Sequence, residues 1–211
     1  AFLANFYRKS GRIDKAENAY KQAVAKSDNP ADLKSVLADF YYETGKPELA
    51  SKQIEPILAE DSQHLMANLV KAKLLIRDGK NTAAIEILER LVKEKPRWAE
   101  AYYYKGLGHL NKGENELSFK AVNQALQFAP ANPDALALKA RHLFMKKEYE
   151  AARTEAGRAL RVAGNNYRAA VVLGKSLASL GKTDKAIQLF EEMAKHDPEN
   201  IEILYNQSAA Y

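Results

Sequence analysis

Apolar residues along this chain keep helical spacing, and the whole pattern repeats every 34 residues. Glycine marks the step at Gly11, Gly45, Gly79, Gly113 and Gly181, with Lys147 in the one place where glycine fails. Other columns keep the same register. Seven residues before each mark stands a small residue: Ala4, Ala38, Ala72, Gly106, Ala140, Gly174 and then Ser208. Five residues after it stands another: Ala16, Ala50, Ala84, Ser118, Ala152 and Ala186. Four before the mark the residue is usually large (Tyr7, Tyr41, Leu75, His109, Leu143, Leu177, Tyr211), and nine after it usually apolar (Tyr20, Ile54, Leu88, Val122, Ala156, Phe190).

This pattern predicts two amphipathic helices per repeat, A and B. Glycine at the mark ends helix A, because a left-handed cap costs glycine least. The small columns let A and B approach closely, and the large column fills the space around that contact. Pro96, Pro130 and Pro198 close helix B in three repeats, where Asp28, Ser62 and Gly164 stand in the others. Asn132-Pro133-Asp134 predicts an N-cap followed by proline in the first turn, and Asn29-Pro30 predicts the same. Pro56 lies inside the second helix B and predicts a kink. Gly157 inside the fifth helix B predicts close approach of a neighbour. With Lys147 and Gly164 it makes residues 145–166 the least regular joint in the series.

These columns resemble the tetratricopeptide repeat family along the whole chain. The resemblance implies an all-α fold, an α-solenoid of stacked helix–turn–helix repeats forming a right-handed superhelix. The register divides the chain into a partial repeat at 1–30, whole repeats at 31–64, 65–98, 99–132, 133–166 and 167–200, and a partial helix A at 201–211 acting as a cap. It forms one array without an internal linker or second domain. The chain begins and ends within a helix A, and so reads as a piece of a longer array.

Composition changes this picture little. With 46% hydrophobic and 28% charged residues, the chain has an ordinary globular balance. No run is apolar enough to enter a membrane, and the first residues read as helix A rather than a signal peptide. Absence of cysteine excludes disulfides and thiolate metal sites. The net charge of +5 describes a mildly basic surface, and no basic block with interleaved aromatics supports a nucleic-acid partner.

The sequence carries no motif of catalytic chemistry. His64, His109, His142 and His196 form no pair with metal-ligand spacing. His109 falls in the large column and is expected to fill the core, whereas His64 and His196 stand near repeat ends, where a cation suits a helix C-terminus. Nucleophile elbow, phosphate loop and dinucleotide fingerprint are all missing. The chain is expected to be no enzyme and to need no cofactor or metal.

The family's concave face is lined by helix A, and transferring that register names the candidate groove. It comprises Asp39 and Tyr42; Leu69, Lys73, Ile76 and Arg77; Tyr103, Leu107 and Leu110; Arg141 and Phe144; and Arg168 and Lys175. Its middle is apolar, its border basic, and its N-terminal end acidic through Asp39 and Glu43. Such a surface suits an amphipathic helix or extended peptide with apolar anchors and acidic flanks. Tyr103 and Phe144 are expected to be exposed; Leu107 and Leu110 either face the groove or pack between neighbouring A helices.

Two groove chemistries of the family are disfavoured. The positions of the carboxylate clamp hold Ala1, Asn5, Val36, Met66 and Val70, of which only Asn5 fits. The asparagine ladder is absent until a lone Asn206. The run from Lys71 to Tyr104 is similar to periplasmic or envelope repeat proteins of Gram-negative bacteria, including those tied to exopolysaccharide export and protein sorting. The reading is a non-catalytic scaffold binding a peptide or helix of a protein partner. The alternative is a structural spacer or self-assembling module of a bacterial envelope, polysaccharide-export or protein-sorting complex, with the periplasm or envelope favoured over the cytoplasm. A saccharide on Tyr42, Tyr103 and Tyr104 is a third, accessory reading.

Overall fold

The computed structural model describes residues 2–196. Ala1, Pro198, Asn206, Ser208, Tyr211 and the partial helix expected at 201–211 lie outside the described residues. Those described form twelve helices and no strand. The A helices are α1 (Phe2–Lys9), α3 (Ala31–Glu43), α5 (Leu65–Arg77), α7 (Ala99–Asn111), α9 (Pro133–Met145) and α11 (Tyr167–Ser179). The B helices are α2 (Ile13–Ala25), α4 (Pro47–Glu60), α6 (Asn81–Glu94), α8 (Asn115–Phe128), α10 (Tyr149–Val162) and α12 (Thr183–His196). The chain divides into two compact units, Ala1–Pro96 and Arg97–Tyr211. Within each, every A helix packs on its own B helix; α3 also packs on α5 in unit 1, and α9 on α11 in unit 2.

The 34-residue mark is a backbone conformation. All five marking glycines have φ between 70° and 79°, and Lys147 adopts φ 63° in the same place. At Lys147 the amide donates to the Phe144 carbonyl, and that of Glu148 to Leu143. Gly79 and Lys80 make the same two bonds to Ile76 and Leu75. Both are Schellman motifs, which satisfy carbonyls that the helix end leaves open. The fifth repeat is therefore as regular at its cap as the rest, contrary to the irregular joint expected at 145–166. Gly157 also serves no close approach: an added Cβ would meet only an Arg161 side-chain nitrogen at 3.8 Å.

The small columns do bring helices together. Ala16, Ala50, Ala84, Ser118, Ala152 and Ala186 are all fully buried. At Gly106 a Cβ would stand 2.8 Å from Val122 Cγ2, and at Gly174 2.2 Å from the Phe190 ring. Glycine is needed at these two places because the column nine after the mark presses against helix A.

Two local expectations change. Asn132 does cap α9, its side-chain oxygen accepting from the Ala135 amide at 2.9 Å, and Asn166 caps α11 in the same way through Ala169. Asn29 does not: α3 begins after Pro30, whose φ of −82° is already helical and which offers no side-chain cap. Helix α4 continues through Pro56 to Glu60, so the proline forfeits one hydrogen bond without ending the helix.

Candidate functional site

Helix A places the same positions of successive repeats side by side. In unit 1 charge pairs join consecutive A helices, one of them at equivalent positions. Arg8 Nη2 donates to Glu43 Oε1 at 3.0 Å, and Lys73 Nζ to Asp39 Oδ1 at 2.5 Å. Asp39 and Lys73 both stand six residues before the mark, on α3 and α5. Lys73 is wholly enclosed and its ammonium lies 5.8 Å from the Tyr42 ring centre. The acidic end expected at Asp39 and Glu43 is thus taken up by the protein's own cations. Tyr42 is half-buried and Arg77 exposed.

In unit 2 the same column holds Leu107, Arg141 and Lys175. Arg141 is exposed and Lys175 half-buried. Neither has an ion-pair partner among the described residues. Exposed Arg168 hydrogen-bonds the Tyr103 hydroxyl, which accepts from Nη1 at 3.4 Å, rather than a carboxylate. Phe144 is half-buried with its ring 5.4 Å from that of Tyr149.

Five candidate groove residues are corrected by burial. Asp39, Leu69, Lys73, Ile76 and Tyr103 are each at most 7% exposed and present no side-chain surface to a partner. For Asp39 and Lys73 the cause is the seam between α3 and α5. Tyr103, expected to be exposed, joins the core of Val122, Ala125, Ala135 and Leu138, with its ring edge-on to Tyr104 at 5.0 Å. Leu107 and Leu110 are half-buried against the same core.

Two histidines hold places that spacing did not foretell. His64 is the N-cap of α5, with Nδ1 accepting from the Ala67 amide at 3.3 Å and Nε2 3.3 Å from Asp32. It serves a helix start, not the helix end expected of it. His142 is buried, its Nε2 lying 2.7 Å from Ser118 Oγ. That hydroxyl gives its one proton to the Gly106 carbonyl at 2.7 Å. Nε2 must therefore carry the proton and donate. Burial first, then the charges of Arg141 and Lys146, push the His142 pKa down to about 4. The readable signal was Ser118, the one hydroxyl in a column otherwise alanine. His109 is buried as expected, Nδ1 2.6 Å from Glu114 Oε2.

Among the described residues no group of three His, Cys, Asp or Glu could hold a metal, and no helix is long and apolar enough to cross a membrane.

Family models described as tetratricopeptide repeat match residues 7–73, 69–135 and 137–201. No protein with a curated description matches the sequence. Solved structures share the fold. PilF of Pseudomonas aeruginosa is 19% identical, with 98% of this chain and 94% of that one covered at a TM-score of 0.73. TTC0263, a thermophilic repeat protein of Thermus thermophilus, is 18% identical, covering 85% and 98% at 0.70. YrrB, described as having an unusual peptide-binding site, is 21% identical, covering 75% and 81% at 0.60.

Proposed function

The chain belongs to the tetratricopeptide repeat family, and we propose that it is a non-catalytic scaffold whose A-helix face binds a peptide or helix of a protein partner. One observation carries the reading: α7 and α9 of unit 2 leave Leu107, Leu110 and Phe144 only half-buried. Apolar side chains held partly open on a rigid wall are suited to receiving the anchors of a segment. The peptide-binding description of YrrB supports the same class of role, by fold likeness.

The test is selection of random 12-residue displayed peptides on the intact chain, followed by Leu110→Asp with Phe144→Asp. Enriched peptides should lose at least about tenfold in affinity for a variant that keeps its helical circular dichroism, because each change sets a charge against an apolar anchor. Absence of enrichment, or binding indifferent to the variant, would overturn the reading.

Self-assembly as a structural module is favoured by a different observation, the exposed Phe2, Leu3 and Phe6 on α1. Sedimentation across a hundredfold concentration range should then show association that Phe2→Ser with Phe6→Ser abolishes. A constant monomer mass removes this second reading.

A further inference from the structure

We infer that the A-helix face of unit 2 carries a carboxylate subsite formed by Arg141 and Lys175, and that the partner segment is acidic beside its apolar anchors. This rests on the scaffold reading and names the chemistry of its partner.

Unit 1 shows what this column of the repeat brings together. Residues six before the mark on consecutive A helices, Asp39 and Lys73, meet in a hydrogen-bonded ion pair. The register of α9 and α11 gives that relation to Arg141 and Lys175. Both helices end in the same left-handed cap, at Lys147 and Gly181, and they pack directly on one another. Where unit 1 sets an acid against a base, unit 2 sets two bases.

Nothing in unit 2 neutralises them among the described residues. The carboxylates of Glu116, Glu150 and Glu155 are engaged by Lys146, Lys182 and Lys139. Asp134, on α9 itself, accepts from the Asn166 amide at 3.1 Å. Lys139 on α9 is thus spent on Glu155, and Arg168 on α11 spends its hydrogen bond on a neutral hydroxyl. A carboxylate set against two cations at corresponding positions of packed helices accepts charge-assisted hydrogen bonds from both. Phe144 lies one turn further along α9 from Arg141, so an apolar anchor and an acidic group a few residues apart would be met together. The same charges raise the encounter rate of an acidic segment.

The subsite is distinct from the disfavoured clamp of the family, whose matching positions hold Ala1, Asn5, Val36, Met66 and Val70. Here the cations share only the column of Asn5, six before the mark, and belong to the fifth and sixth repeats.

The peptide selection above also tests this. Enriched sequences should carry Asp or Glu within four residues of Leu, Phe or Ile. Replacing that acid by its amide should weaken binding about tenfold, and Arg141→Glu with Lys175→Glu should weaken the acidic peptide further while favouring a lysine-substituted one. Lys120→Glu, an exposed change on the B helix α8, should leave binding as it was. Peptides that show no acidic preference, yet lose binding to Leu110→Asp with Phe144→Asp, would overturn the carboxylate subsite and leave the scaffold reading standing. Failure to enrich any peptide would remove both.

Discussion

The two units place the same A-helix position to opposite use. In unit 1 the column six before the mark holds Asp39 and Lys73, which bond to each other in a closed seam. In unit 2 it holds Arg141 and Lys175, which bond to no carboxylate of the described chain. The backbone register is the same, so the difference lies in the side chains, in their charge and in their burial. A buried ion pair returns little net stability, because desolvation offsets attraction, but it is costly to break. In unit 1 this column contributes to packing register; in unit 2 the same geometry leaves charge for something outside the fold.

Breaking the pair in unit 1 gives the largest expected effect. Asp39→Ala strands a fully enclosed ammonium and should cost about 3–5 kcal/mol in urea unfolding. Asp39→Leu with Lys73→Met should recover most of that, since it removes both charges and keeps apolar volume. Arg141→Ala with Lys175→Ala in unit 2 should stay within about 0.5 kcal/mol of wild type, as suits a surface change that breaks no pair. Equal costs in the two units would erase the contrast.

Acid should separate the units next. The folded-state pKa of His142 in unit 2 is lowered to about 4, below its ordinary 6.5. The unfolded chain then binds the proton more readily, so stability present above pH 6.5 is lost as pH falls toward 4. The full displacement corresponds to about 3 kcal/mol. In unit 1, hydrogen bonds from Lys21 and then Lys46 hold Glu17 down to about 2. Its contribution persists above the ordinary 4.5 and is lost only as pH falls from there toward 2. Exposure of both lysines limits it to about 1 kcal/mol. His142→Gln can still donate to Ser118 and does not titrate. Its stability relative to wild type should rise between pH 7 and pH 4; a constant difference would contradict the buried neutral imidazole.

Packing of A on B supplies a third, smaller contrast. Gly174 faces the Phe190 ring so closely that Gly174→Ala should cost about 1–3 kcal/mol through overpacking. Phe190→Leu in the same molecule should return part of it by making room. The corresponding places in unit 1, Ala72 and Leu88, already combine a Cβ with a smaller partner, and both are fully buried. A tolerated Gly174→Ala would mean that helix spacing adapts freely, and that the complementary columns carry little specificity.

Much of this was legible because repeats align against themselves. The cap, the small columns and the large columns are each a demand of helix ending or helix contact, and each recurs at 34 residues. Burial along helix A was less legible. A helix stacked between others has two flanks to bury, and its periodicity does not say which apolar residue faces a neighbour and which faces open space. Tyr103 and Leu69 were lost to that ambiguity. Asp39 and Lys73 were recoverable: opposite charges 34 residues apart in one column announce a contact between consecutive A helices. His142 was legible only from one side: Ser118 stands out as the one hydroxyl in an alanine column, but its partner lies 24 residues away, outside the repeat step.

Lys147 offers the smallest effect and the sharpest separation of conformation from contact. Unit 1 caps its A helices with Gly11, Gly45 and Gly79, while unit 2 substitutes a lysine held at φ 63°. A left-handed residue other than glycine costs about 1–2 kcal/mol. Lys147→Gly removes that strain but frees the unfolded chain, which takes back about 0.4–1 kcal/mol. The net should be a stabilisation of about 0.5–1 kcal/mol by urea unfolding, since Lys147 makes no ion pair among the described residues whose loss would oppose it. Gly79→Ala in unit 1 should move the other way by about 1 kcal/mol, although an added Cβ there meets nothing within 4 Å. Because neither change breaks a hydrogen bond or ion pair of a side chain, opposite signs at the two sites would assign the 34-residue glycine to backbone conformation. A neutral Lys147→Gly would instead mean that the lysine side chain offsets its own strain at the α9 C-terminus, where a cation is favoured by the helix dipole.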